Sequence, residues 1–81
     1  MKQYEMANIN QFKRITVNPN IMVGKPVIKG TRIPVYIILN MLGEDYDFFK
    51  IIKTYPDVNK EDILESLKFA AHFTKFEEIA A

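Results

Sequence analysis

The sequence predicts a mainly α fold in which an N-terminal β-hairpin precedes three helices. Three observations carry this expectation. Two β-branched runs near the N-terminus are separated by turn residues. The segment GKPVIKGTRIPV, residues 24–35, combines two glycines, two prolines and strand-forming residues, and reads as turn, strand, tight turn and helix start. Beyond it come three apolar segments, each with its own start or stop residue.

Residues 1–11 are expected to be an N-terminal arm or a weak helix, polar with scattered apolar side chains and no deciding periodicity. A hairpin is expected over 12–33. FKRITV from Phe12 to Val17 suits its first strand, Asn18-Pro19-Asn20 marks a turn, and Lys25 to Ile28 supplies a second extended segment. Gly24 and Gly30 accept positive φ at no Cβ cost, and with Pro26, Thr31 and Pro34 they are the expected architectural residues. The three-helix unit is expected over 34–80. Its first helix starts at Pro34, runs to Leu42 and stops at a left-handed Gly43. It is apolar nearly all round, which places it at the centre of the core or between two subunits.

Asp47 is the expected N-cap of a short second helix, FFKIIKTY, which Pro56 ends by holding Tyr55 extended. Asn59 caps the third helix, with Asp62 completing a capping box, and the helix is expected to reach about Ile79. At about 100° per residue, Ile63, Leu64, Leu67, Ala70 and Ala71 fall on one face, expected to point inward. Phe69, Phe73, Phe76 and Ala80 form a second stripe, expected to cover a partner or a second copy.

With 81 residues the chain is expected to be a single domain, residues 1–81, and one too small to bury much apolar surface without help. It has no cysteine and one histidine, so neither disulfides nor a zinc site supplies that help. Hydrophobic residues make up 48%, which favours association, and a homodimer is expected. No apolar run is long enough for a membrane span and no signal peptide is visible, so no membrane partner and a cytoplasmic location are expected. The net charge of +1 conceals a division. Residues 1–34 carry six Lys/Arg against one Glu, while 35–81 carry five Lys against nine Asp/Glu. A polyanion would meet the N-terminal half first.

The second and third helices have the spacing of a helix-turn-helix, yet also of an ordinary helix pair. The outward face of the third helix would present Glu61, Glu65, Lys68, His72 and Lys75, and its acidic first turn disfavours phosphate contact. Lys13, Arg14, Lys25, Lys29 and Arg32 are the better nucleic-acid candidates, with Arg32 also suited to a structural salt bridge with the acidic half. GKPVIKGT lacks the residue order of a P-loop, and Pro26 removes a backbone donor. No nucleophile and base pair is evident, His72 reads as solvated, and Asp47 and Asp62 are better used as caps than as metal ligands. No enzyme, cofactor or metal site is expected.

The run ITVNPNIMVGKPVIKGTRIPV, the apolar helix after it, and YPDVNKEDILESLKFAA together resemble the DUF433 family over about Ile15 to Ala71. That resemblance implies a homeodomain-like arrangement of the three helices. It also implies kinship with VapB-type antitoxins, which bind and silence a PIN-like ribonuclease toxin and bind operator DNA as dimers. GEDYD departs from the family pattern between the first two helices, and its acids argue against nucleic-acid contact there. The alternative is a protein–protein interaction module without DNA binding.

Overall fold

The computed structural model describes residues 11–75. The chain forms β1 (Ile15–Thr16), β2 (Val27–Ile28), α1 (Val35–Gly43), α2 (Phe48–Thr54) and α3 (Lys60–His72), with a single 3-10 turn at Met22–Gly24 between the strands. The expected hairpin followed by three helices is what the chain builds. Its first strand is shorter than FKRITV suggested. The Ile15 amide donates to the Phe12 carbonyl at 3.1 Å, so the chain turns at Phe12 and sends that ring into the core before the strand begins.

β1 and β2 pair antiparallel, with Ile15 opposite Ile28 and Thr16 opposite Val27. The segment 24–35 then folds back on itself. The Ile28 amide donates to the Ile33 carbonyl and the Val35 amide to the Pro26 carbonyl, both at 2.9 Å, and Val27 forms a bridge with Pro34. Pro34 is therefore the extended cap just before α1, one residue ahead of the helix it was expected to open. Its missing amide costs nothing at that position.

α1 ends differently from expectation. Gly43 is its last helical residue, and the left-handed residue is Asp45, with φ of 71°. The Tyr46 amide donates to the Met41 carbonyl at 2.9 Å and the Asp45 amide to the Leu42 carbonyl at 3.0 Å, which is a Schellman motif. Such a motif wants an apolar residue after the left-handed one. A stop at Gly43 would put Glu44 there, whereas a stop at Asp45 puts Tyr46, which packs on the core.

Local chemistry starts the next two helices as expected. The Asp47 carboxylate accepts from the Lys50 amide at 2.8 Å, and Tyr55 is extended ahead of Pro56. Asn59 and Asp62 complete a reciprocal capping box at 2.8 and 3.0 Å. α3, however, ends at His72 rather than near Ile79: Phe73 is its cap, the Thr74 amide donates to the Ala71 carbonyl at 3.2 Å, and the Thr74 hydroxyl donates to the carbonyls of Ala70 and Ala71.

The core joins Phe12, Ile15 and Ile28 of the hairpin region to Val35, Ile38 and Met41 of α1, Ile51 of α2, Val58 and Ile63. α3 packs against α1, α2 and β1. Its inward face is Asp62, Ile63 and Ser66, continued by half-buried Phe69 and Phe73, so the expected inward face holds at Ile63 and Ala70 and is corrected at Leu64, Leu67 and Ala71. Leu64 and Leu67 remain 39% and 41% exposed and Ala71 faces solvent. Phe69 and Phe73 of the phenylalanine stripe pack against the ring of Phe12.

Candidate nucleic-acid interface

The hairpin positions the basic residues by register. Because Ile15 faces Ile28 in an antiparallel pair, Lys13 and Arg14 at the start of β1 lie beside Lys29 at the end of β2, and the Lys29 amide donates to the Arg14 carbonyl at 2.8 Å. Arg32 stands in the tight loop that follows Lys29. Lys25 belongs to the opposite end of the sheet, next to the Met22–Gly24 turn. The five candidate cations are thus divided, four at one end and one at the other.

Two side-chain features shape the basic end. Gly30 sits at φ of 83° with open space where a Cβ would be, so the glycine serves the backbone angle alone. The Thr31 hydroxyl donates to the Ile28 carbonyl at 2.8 Å and accepts from the Ile33 amide at 2.9 Å, which ties the loop that displays Arg32. Pro26 supplies the carbonyl that receives the Val35 amide.

Arg14 is committed elsewhere. Its Nη1 donates to Asp62 Oδ1 at 3.2 Å, and its backbone amide donates to Glu65 Oε2 at 3.0 Å. The structural salt bridge expected of Arg32 therefore belongs to Arg14, because β1 runs along α3 while the Arg32 loop points to solvent. Lys13, Lys25, Lys29 and Arg32 are exposed and make no ion pair among the described residues.

The aromatic candidates are placed inside the chain. Phe69 and Phe73 lie 4.8 Å apart, centroid to centroid, and 5.3 and 6.5 Å from Phe12. This contact leaves Phe69 and Phe73 half-buried against their own chain. His72, expected to be solvated, stacks edge-on at 5.5 Å from Phe12 and 4.8 Å from Phe73. Phe76 lies outside the described residues. Among the described residues, the large apolar side chains that do face solvent are Met22, Val23, Tyr36, Phe49, Leu64 and Leu67.

Sequence reasoning missed three things here. Asp62 was read as a cap alone, though Arg14 in the paired strand was the signal for its second role. Thr31 was read as architectural without its hydroxyl's task. Met22 and Val23 carry no sequence signal for positive φ, yet with φ of 51° and 56° they join Gly24 at 80° in a left-handed turn. No group of His, Cys, Asp and Glu among the described residues is placed to hold a metal ion. No helix there is long and apolar enough to cross a membrane.

A family model for a protein of unknown function, DUF433, matches residues 15–70. The chain belongs to the DUF433 family. The family match runs from β1 through nearly all of α3 and includes Lys25, Lys29, Arg32 and Asp62, while Lys13, Arg14 and Phe73 lie outside it. An uncharacterized protein of Sinorhizobium fredii, y4eO, is 31% identical over 49 residues, which cover 60% of this chain and 22% of that longer protein. The chain thus spans about a fifth of that relative's length. An uncharacterized protein of Archaeoglobus fulgidus is 70% identical over 24 residues, 30% of this chain and 67% of its own length. The crystal structure of a DUF433 member from Anabaena variabilis superposes with a TM-score of 0.70 at 19% identity, covering 96% of this chain and 76% of that one. That likeness establishes the DUF433 fold.

Proposed function

We propose that this DUF433 chain is an antitoxin-like regulator of VapB type, which binds operator DNA through the basic end of its sheet and neutralises a PIN-like ribonuclease through its helical surface. One observation carries the reading: Lys13, Lys29 and Arg32 are exposed, gathered at one end of the hairpin and unpaired with any carboxylate among the described residues, within a stretch of residues 11–43 that contains no Asp or Glu. Unpaired cations release counterions when phosphates replace them, so the favourable contact falls here and not on α3, whose first turn carries Glu61. The exposed Tyr36 and Phe49 on the helices provide apolar area for a protein partner, and the acidic helical half blocks the nuclease's RNA groove by occupying it.

Titration of labelled upstream DNA at two salt concentrations tests the first half. Three phosphate contacts per protomer give a log–log salt slope of about −3, and replacing Lys29 and Arg32 by alanine reduces it by about 2. A binding curve insensitive to salt would sink the DNA reading. Co-expression with the adjacent reading frame tests the second half, by copurification and relief of growth arrest. Copurification without salt-dependent DNA binding favours the alternative of a plain interaction module, for which the exposed Phe49, Leu64 and Leu67 speak.

A further inference from the structure

The outward face of α3 repeats in a pattern that fits its own copy. Lys60, Leu64, Leu67 and Ala71 recur at intervals of four, three and four residues, and all four are exposed. At about 100° per residue they fall within a stripe narrower than a quarter turn, the seam width of a two-helix contact. Glu61 and Lys68, also exposed, stand seven residues apart along one flank of this stripe. The other flank is Ile63 and Ala70, which face the body of the domain.

We infer that this stripe is the seam of a homodimer in which two copies of α3 pack antiparallel about a two-fold axis. An isologous contact places a residue against its complement rather than itself. With Leu64 opposite Leu67 of the second copy, Lys60 falls opposite Ala71, whose small side chain leaves room for the lysine stem. The same register brings Glu61 beside Lys68 of the second copy, and the symmetry repeats the pair. Antiparallel helices match one flank with the same flank, so opposite charges at this spacing attract in this orientation. A parallel pair would set the Glu61 and Lys68 flank against the Ile63 and Ala70 flank of the second copy, and the two charges would not meet. The self-complementary charges identify the occupant as a second copy.

A 13-residue helix offers a small seam, below the roughly 1,200 Å² of stable interfaces, so the dimer is reversible with an affinity in the roughly micromolar range. The inference deepens the proposed function by saying how two basic sheet ends are carried on one particle. Its test reads mass, so it fails or stands apart from DNA or nuclease binding. In sedimentation velocity of the full chain up to about 100 μM, native protein shifts from monomer to dimer with concentration. Leu67→Glu keeps the native circular dichroism and stays monomeric. Glu61→Lys and Lys68→Glu each weaken the dimer, and the double swap restores it, a rescue that a merely structural role would not produce. A native chain monomeric throughout, a dimer that survives Leu67→Glu, or a double swap without recovery overturns the seam. A monomeric chain whose Leu64 and Leu67 are instead covered by a co-expressed nuclease overturns it too and assigns the stripe to that partner.

Discussion

Thr31 closes the loop between Ile28 and Ile33 with one hydroxyl acting as donor and acceptor. Thr31→Val keeps the shape and leaves the Ile33 amide without that partner, an expected cost of about 1–3 kcal/mol in urea unfolding, whereas Thr31→Ser is nearly neutral. The opposite situation holds at Val23, a β-branched residue at φ of 56° that is 91% exposed and packs on little. Val23→Gly relieves a left-handed penalty of about 1–2 kcal/mol against a smaller entropic loss, so the melting temperature is expected to rise. The two positions were unequally legible. The glycines of the segment announced positive φ, while Met22 and Val23 prefer extended backbone and gave no hint that hydrogen bonds from Gly24 to Ile21 and from Lys25 to Met22 would coil them leftward.

Among the elements, α3 is held at both ends by the hairpin region. At its start, the Asp62 carboxylate, 8% exposed, serves the Asn59 amide and Arg14 together. Asp62→Ala removes half of the capping box and a partly exposed ion pair, with an expected loss of about 1–2 kcal/mol by chemical denaturation. At its end, Phe12 packs on Phe69 and Phe73. Phe12→Ala is expected to cost about 3–5 kcal/mol and to abolish hydrogen-exchange protection in the last turns of α3 first. Helix starts were readable because a cap and its amide lie three residues apart, as with Asp47 and Asn59. The stop of α2 was readable from Pro56, but those of α1 and α3 were not, since Asp45 takes the left-handed angle without a glycine to signal it and α3 closes at Phe73. The inward face of α3 escaped periodicity as well. Both of its apolar stripes suit a core, and only the position of Phe12 selects between them.

At the scale of the molecule, the candidate phosphate-binding cations and the exposed leucines lie on different elements. Free cations gather on the sheet and solvent-facing leucines on α3. The sequence count already divided the charges, but register alone showed that Lys25 stands apart from Lys29 and that Arg14 is committed to Asp62. Raising salt is therefore expected to weaken the proposed DNA binding while leaving the fold nearly unchanged, because the Arg14–Asp62 pair is supported by Phe12, Ile15 and Ile28 beneath it. A melt that collapsed in salt would contradict this division.

The contact of β1 with α3 makes the described chain a ring of neighbours, its first element resting on its last. Connectivity is then a matter of where the ring is cut. A circular permutant, with the existing ends joined by a flexible linker and new ends opened between the exposed Pro19 and Asn20, is expected to give the same helical spectrum and a single cooperative melt.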